Sequence, residues 1–181
     1  MKLFFITGNK GKFEEASKII SELEQKDIDL VEIQSLDPKV IIQSKLEEAK
    51  KSIQGNIVVE DGALYIESLN GLPGPLIKWF MKALDNDGLF KITESLESNK
   101  AIAKVIIGVS FESGTIEFFE GSISGVIVSP RGENGFSWDK IFMPEGFDKT
   151  FAEMTMEEKN KISMRKIAFQ KLNDYLKSNN K

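Results

Sequence analysis

The chain has 181 residues, with 24 lysines and arginines against 28 aspartates and glutamates, a formal net charge of −4, and neither histidine nor cysteine. These zero counts exclude disulfides, thiolate nucleophiles, Cys/His zinc sites and imidazole general bases. With 41% hydrophobic and 29% charged residues, the composition is that of a soluble globular protein, and the length predicts one domain over 1–181. We expect a cytoplasmic location, no membrane partner and, because the chain is mildly acidic, no nucleic acid polymer as partner.

The first third of the chain alternates between strand and helix patterns. A compact β-type run over 3–6 meets a turn, and apolar residues at helical spacing over 13–23 then predict a helix. A second amphipathic helix is predicted over 41–53, followed by a strand over 57–59 that runs into Glu60–Asp61–Gly62.

The remaining two thirds predict further helices and one hairpin. Short helices are indicated near 77–80 and 89–96, and two strands over 101–111 and 116–128 are joined by a glycine-containing connection. A long helix is predicted over 157–177. Alternating elements followed by a hairpin favour an α/β protein with a mixed β-sheet flanked by helices.

A turn between the first strand and the first helix has the composition of a phosphate-binding segment. Free backbone N–H groups and the helix dipole meet there, glycines permit close approach of an anion, and lysines supply positive charge. The alternative is an ordinary turn in which the asparagine caps the helix and the lysines face solvent. The residues concerned are Thr7, Gly8, Asn9, Lys10, Gly11 and Lys12.

Two adjacent acids, Glu60 and Asp61, follow three β-branched residues. A carboxylate beside a buried strand needs a partner, which a lysine or a hard metal such as Mg²⁺ would supply. Because side chains alternate along a strand, only one of the two acids is expected on the same side as Val58. The alternative is that the strand simply ends in polar turn residues.

A third segment combines aromatic side chains with an acid at Phe136, Ser137, Trp138 and Asp139. The rings could stack on a base while the carboxylate accepts a hydrogen bond from it, or they could be part of the core. The charged stretch from Lys159 to Arg165 predicts, by itself, only a solvated helix.

Taken together, these segments resemble the inosine triphosphate pyrophosphatase (Ham1/RdgB) family, in order and over nearly the full chain. The resemblance is carried by the following segments: Thr7–Gly8–Asn9 with Lys12, Glu60–Asp61–Gly62, Asn70 to Pro75, Ile77 to Phe80, Ser129 to Gly132, Phe136 to Asp139, Thr150 to Met154, Glu158 to Asn160 and Ser163 to Arg165.

The resemblance implies an elongated α/β fold with two lobes and a central cleft, and a cytoplasmic homodimer. It implies Mg²⁺-dependent hydrolysis of non-standard purine nucleoside triphosphates (ITP, dITP and XTP) to the monophosphate and pyrophosphate. By the same resemblance, Asp61 would bind Mg²⁺ or activate water, with Glu60 as a further candidate ligand. The residues implied in substrate binding are Thr7 to Lys12, Lys45 and Gly62 together with Phe136, Ser137, Trp138, Asp139, Lys159, Ser163, Met164 and Arg165.

Three motifs depart from the family pattern, and one further family acid has no secure match. Met164 stands where the family has histidine, Ser137 where it has glycine, and Gly62–Ala63 where it has Ser-Gly; a further family acid has only Asp37 as a candidate match. Replacing a histidine donor by a thioether loses about 1 kcal/mol of hydrogen bonding, so we expect ITP or XTP to be preferred over ATP by a smaller ratio than usual. Two alternatives stay open: a paralogue that binds a nucleotide without hydrolysing it, and a Maf-like pyrophosphatase that acts on other bases.

Overall fold

The computed structural model describes residues 2–179. It is a mixed α/β structure with a seven-stranded sheet, as the sequence predicts. The strands are β1 (Leu3–Ile6), β2 (Leu23–Lys26), β3 (Asn56–Ile66), β4 (Pro73–Gly74), β5 (Lys100–Ser110), β6 (Ile116–Ile127) and β7 (Phe142–Pro144). The helices are α1 (Lys10–Ser17), α2 (Pro38–Lys50), α3 (Ile77–Glu94), α4 (Met156–Ile162) and α5 (Met164–Asn179). Among residues 2–179 no helix is both long and apolar enough to cross a membrane.

The sheet combines parallel and antiparallel pairing. Its order is β2-β1-β3-β5-β6-β7, with β4 added on β3. The strand β1 lies between two parallel neighbours, so that Leu3 is in register with Leu23 on one side and Asn56 on the other. The pairs β3–β4 and β6–β7 are antiparallel. The strand β1 ends at residue 6. The turn over residues 7–9 therefore lies at the carboxyl end of a parallel strand, the edge of such sheets where ligands bind.

The described chain divides into two compact units. Of the described residues, unit 1 comprises 2–61, 105–121 and 164–179, and unit 2 comprises 62–104 and 122–163. The core of unit 1 lies between α2 and the sheet and includes Ile42, Leu46, Ile57 and Ile106. In unit 2 the rings of Phe142 and Phe151 are fully buried, with their centroids 5.3 Å apart. The prediction of a single domain stays a prediction, and Met1, Asn180 and Lys181 of its span lie outside the described residues.

The predicted helix over 13–23 is wrong in its second half. The helix α1 ends at Ser17, and Leu23 begins the strand β2. Ile20 and Leu23 are buried because they face the core from a turn and a strand, although their spacing also fits one face of a helix. The helix predicted over 41–53 is α2, which starts three residues earlier, where Asp37 caps it by accepting a hydrogen bond from the backbone N–H of Lys39 at 2.9 Å.

Three further elements differ from the prediction in their extent. The strand β3 continues through the two acids to Ile66 instead of stopping before them. The helix α3 combines the two short helices predicted, with a break at Asp85, where φ is 58° and ψ is −173°. The long helix predicted over 157–177 is two helices, because Ser163 has an extended backbone (φ −62°, ψ 146°) that ends α4. The hairpin of β5 and β6 is confirmed.

Candidate active site

The structure distributes the predicted site residues between the two units. Thr7 to Lys12, Lys45, Glu60, Asp61, Met164 and Arg165 belong to unit 1, whereas Gly62, Phe136 to Asp139, Lys159 and Ser163 belong to unit 2.

The turn between β1 and α1 is held by its own side chains. Thr7 Oγ1 accepts a hydrogen bond from the backbone N–H of Asn9 at 3.1 Å, and Asn9 Oδ1 caps α1 by accepting one from the N–H of Lys12 at 3.1 Å. A Cβ at Gly8 would lie 2.7 Å from a carboxylate oxygen of the exposed Asp27, so a larger residue there would require that side chain to move. Asn9 therefore caps the helix and Lys10 is exposed, as expected if this segment were an ordinary turn.

Lys12 does not fit an ordinary turn with solvent-facing lysines, because its ammonium forms an ion pair. Its Nζ lies 3.0 Å from Glu60 Oε1, and its side chain is about one quarter exposed, at 26%. The lysine of the turn thus bonds to the acid at the middle of β3.

Glu60 lies in a buried cluster of four charged side chains. Arg165 donates from Nε to Glu60 Oε2 at 2.9 Å and from Nη2 to Glu60 Oε1 at 3.0 Å, and from Nη1 to Glu15 Oε2 at 2.8 Å. The side chains of Glu15, Glu60 and Arg165 are 7%, 2% and 3% exposed. Burial alone would raise the pKa of Glu60, but the charges of Arg165 and Lys12 outweigh it and lower that pKa to about 2.

Asp61, the next residue of β3, has different partners, as strand alternation predicts. Lys45 of α2 donates from Nζ to Asp61 Oδ1 at 2.8 Å and to the backbone carbonyl of Glu60 at 3.2 Å. The same Nζ lies 2.9 Å from Glu32 Oε1. Two carboxylates therefore converge on one ammonium group.

Burial has opposite effects on the two partners of this cluster. It raises the pKa of Asp61, and the positive charge of Lys45 offsets only part of that rise. Burial alone would lower the pKa of Lys45, but Asp61 and Glu32 outweigh it and hold that pKa above its usual value. Asp61 is consequently a stronger proton acceptor than an ordinary aspartate.

Glu32 is a site residue that the sequence analysis missed. It lies in an irregular stretch between β2 and α2, where no periodicity or motif marks it. Asp37, proposed as the match for the missing family acid, is instead the cap of α2, and the acid beside Lys45 in the structure is Glu32.

The two clusters differ in how well they suit a divalent cation. Both oxygens of Glu60 already bond to cationic side chains, so its donor set does not fit a metal ion. Asp61 and Glu32 are hard oxygen donors that converge on one point, which suits Mg²⁺ if substrate phosphates complete its coordination. Among residues 2–179 no group of three or more acidic side chains could hold a metal without such help.

In unit 2, the predicted aromatic segment forms a 3-10 turn over Ser137–Lys140 that is built around a buried ion pair. Lys159 of α4 donates from Nζ to Asp139 Oδ2 at 2.6 Å, and the backbone N–H of Phe136 donates to the same oxygen at 2.8 Å. Lys159 Nζ also lies 4.8 Å from the centre of the Phe136 ring. The charged helix that looked solvated in isolation therefore buries this lysine, which is 5% exposed.

The two aromatic residues of this segment differ in exposure. Trp138 is buried at 8% and contributes to the core of unit 2, and its Nε1 has no hydrogen-bond partner among residues 2–179. Phe136 is half-buried, and the ammonium of Lys159 lies over its ring. Ser137 has a φ of 59°, the left-handed conformation that favours the glycine of the family pattern. Gly62 packs against Trp138, and Ser163 is buried at the end of α4.

The remaining predicted residues lie at the start of α5. Met164 is 3% exposed, and its backbone carbonyl closely approaches Gly121 of β6. The guanidinium of Arg165 binds Glu15 and Glu60 in unit 1 instead of standing open to a ligand.

Comparisons with known proteins give a consistent assignment. A model of the Ham1 family matches residues 3–175. The chain is 39% identical over 180 residues to an inosine triphosphate pyrophosphatase of Schizosaccharomyces pombe, covering 97% of this chain and 95% of the relative. It is 40% identical over 184 residues to a dITP/XTP pyrophosphatase of Methanopyrus kandleri, covering 99% and 98%.

Solved structures show the same fold. The Ham1 protein of Staphylococcus aureus superposes with a TM-score of 0.82 at 24% identity, covering 99% of this chain and 100% of that one. A nucleoside-triphosphatase, or dITP/XTP pyrophosphatase, of Mycobacterium abscessus superposes with a TM-score of 0.74 at 26% identity, covering 95% and 98%.

Proposed function

The chain belongs to the Ham1 family, as its motifs indicate, and on that premise we propose that it hydrolyses non-canonical purine nucleoside triphosphates. The substrates proposed are ITP, dITP and XTP, and the products are the nucleoside monophosphate and pyrophosphate. The observation that carries the proposal is identity of about 40% over the full length to relatives named for these activities. The acid and lysine clusters of unit 1 provide the chemistry that the reaction needs.

Cleavage between the α- and β-phosphates needs a positioned water and neutralised charge on the leaving pyrophosphate. The water oxygen bonds to the α-phosphorus, the bond from that phosphorus to the bridging oxygen breaks, and Asp61 accepts the proton. Its raised pKa makes Asp61 suited to this step, because a base works best when its pKa approaches the working pH. Histidine is not required.

The cationic groups of unit 1 bind the phosphates in this proposal. Lys12 supplies an ammonium beside the turn, and the N-terminal N–H groups of α1 add the positive end of a helix dipole. Lys45 holds Asp61 and Glu32 in place. These two carboxylates would hold Mg²⁺, which when bound supplies charge neutralisation on the phosphate oxygens.

By the resemblance, Phe136 to Asp139, Lys159 and Ser163 to Arg165 would enclose the base, and this stays a prediction; the guanidinium of Arg165 binds Glu15 and Glu60 in the structure. The support within unit 2 is the fixed geometry of Asp139, whose carboxylate is held by Lys159 and by the backbone of Phe136. The cytoplasmic location and the homodimer are also implied by the resemblance, and both stay predictions.

A panel of triphosphates tests the proposal. Purified protein with Mg²⁺ is given ITP, dITP, XTP, GTP, ATP and a pyrimidine triphosphate, and pyrophosphate release is measured. We expect the three non-canonical purines to be hydrolysed fastest, with chelation of Mg²⁺ abolishing release. Nucleotide binding without release would support a non-hydrolysing paralogue, and preference for another base would support a Maf-like activity; either outcome contradicts the proposal.

A further inference from the structure

We propose that Glu60 is a positioning residue for Lys12, and that the buried cluster of Glu15, Glu60 and Arg165 exists to fix the phosphate-binding lysine. This inference rests on the proposed function, because it names how one group of that site is held. It also separates the roles of the two adjacent acids, of which only Asp61 faces the Lys45 cluster.

The contacts of Glu60 fix the orientation of its carboxylate. Glu60 has two carboxylate oxygens, and Oε1 receives both Lys12 Nζ at 3.0 Å and Arg165 Nη2 at 3.0 Å, while Oε2 receives Arg165 Nε at 2.9 Å. The two-point contact of the guanidinium fixes the plane of the carboxylate, since the donor fork is rigid. The fixed carboxylate in turn places the ammonium of a lysine that would otherwise be a flexible point charge.

The side chain of Arg165 is almost completely buried. A fully buried arginine on two acids is costly to desolvate and contributes little stability compared with an apolar replacement, so its presence calls for another role. Its two acidic partners lie on different elements, Glu15 on α1 and Glu60 on β3, and Glu60 also bonds to Lys12 of α1. Two positive and two negative groups balance, so the cluster holds Lys12 without leaving an uncompensated charge.

The bond to Glu60 leaves N–H donors of the Lys12 ammonium available for a phosphate. An ammonium has three N–H donors, and the bond to Glu60 uses one of them. The side chain remains 26% exposed, beside the turn whose glycine and backbone N–H groups suit an anion. A phosphate oxygen can therefore bind a lysine whose rotamer is already fixed, which lowers the entropy cost of binding.

The test is a double-mutant cycle on Glu60 and Lys12, read as kcat for ITP. Because displacement of a charge by about 1 Å can cost a factor of about one hundred, we expect Glu60→Gln to lower kcat by about tenfold or more and Lys12→Gln by at least as much. In the Lys12→Gln background, Glu60→Gln should change kcat by less than about twofold, since a group that acts through Lys12 has nothing left to position. Multiplicative effects would overturn the proposal, because a merely structural loss would persist without Lys12.

A second measurement separates positioning from metal binding without using activity. Calorimetric titration of Mn²⁺, with pyrophosphate held at a concentration that saturates each variant, should give Glu60→Gln the affinity of wild type, whereas Asp61→Asn should bind Mn²⁺ more weakly. Equal losses in the two variants would show that Glu60 is a metal ligand and would overturn the proposal.

A third variant keeps the test decisive if Glu60→Gln does not fold. Glu15→Gln removes the charge of the second acid that binds Arg165. The guanidinium should then bind Glu60 more strongly, and the bond between Glu60 and Lys12 should weaken. The effect of Glu15→Gln on kcat should likewise disappear in the Lys12→Gln background, and persistence of the effect would refute the inference. A wild-type protein that releases no pyrophosphate would contradict the proposed function alone, and the Mn²⁺ titration would still test the role of Glu60.

Discussion

Acid unfolding of this protein is predicted to depend strongly on Glu60. Its pKa in the folded protein is about 2, against an ordinary value of 4.5, because Arg165 and Lys12 favour the charged form. A carboxylate with a depressed folded pKa contributes stability that is complete above its unfolded pKa and is lost as the pH falls toward the folded pKa. The window of loss therefore lies between about pH 5 and pH 2.

The size of the effect follows from the same two pKa values. Each pKa unit corresponds to about 1.4 kcal/mol, so the full contribution is about 3 kcal/mol, of which about 2 kcal/mol is lost between pH 5 and pH 3. Urea unfolding of wild type and Glu60→Gln at pH 5, 4 and 3 measures it, because the other carboxylates cancel in the difference between the two proteins.

We expect the difference in unfolding free energy between wild type and Glu60→Gln to shrink by about 2 kcal/mol over that range. Glu14→Gln, which alters an exposed acid of α1, is the matched control. A difference that stays constant from pH 5 to pH 3 in Glu60→Gln would refute the reasoning, since it would mean that Glu60 ionises alike in the folded and unfolded chains.

Four further predictions follow from other contacts. Asp61→Asn should abolish pyrophosphate release and lower the melting temperature at pH 7, because it removes one of the two carboxylates that pair with the buried ammonium of Lys45; a melting temperature at or above that of wild type would contradict this. Gly121→Ala should destabilise by about 3 kcal/mol or more in urea unfolding, since its Cβ would lie 1.9 Å from the Met164 carbonyl oxygen; unchanged stability would count against that close approach. Ser137→Gly should stabilise by about 1 kcal/mol in the same assay by relieving the left-handed backbone, and a loss would show that the serine side chain matters more. Asp37→Ala should lower the free energy of unfolding by about 1 kcal/mol, because α2 loses its N-cap. The Mg²⁺ dependence of the rate should stay as in wild type, and a changed Mg²⁺ requirement would indicate that Asp37 is a metal ligand.

The strands that the sequence predicts well are those whose apolar pattern has one interpretation. The runs of β1 and the hairpin of β5 and β6 are continuous and flanked by turn residues. The strand β2 was missed because Ile20 and Leu23 also fit the spacing of a helix, and because the strand itself carries Glu24 and Lys26. Its identity depends on pairing with β1, which local spacing does not encode.

The acids of β3 show why part of the candidate site was predictable and part was not. Two carboxylates after β-branched residues indicated a site that needs cationic partners, and the structure supplies Lys12, Arg165 and Lys45. The strand continues through both acids because those partners compensate their charge, which reverses the usual meaning of a polar pair as a strand end. Because side chains alternate along the strand, Glu60 binds Lys12 and Arg165 on one side and Asp61 binds Lys45 on the other.

Glu32 and the break at Ser163 were beyond prediction for different reasons. Glu32 meets Lys45 only through the folding of an irregular segment, so no spacing in the chain identifies it. Ser163 is compatible with a helix interior, and its extended backbone follows from tertiary packing instead of from a proline or glycine.

The ammonium group of Lys45 has a consequence for how the protein acquires its metal. In the absence of a cation, the ammonium of Lys45 pairs with both Asp61 and Glu32, so it cancels one of their two negative charges and reduces their mutual repulsion. A divalent ion arriving alone would have to weaken two short ion pairs, and it would gain only two ligands in return. An ion that is already bound to the triphosphate has phosphate oxygens as its remaining ligands. The free protein should therefore keep its melting temperature when metal is removed, and magnesium should behave as part of the substrate and not as a resident cofactor.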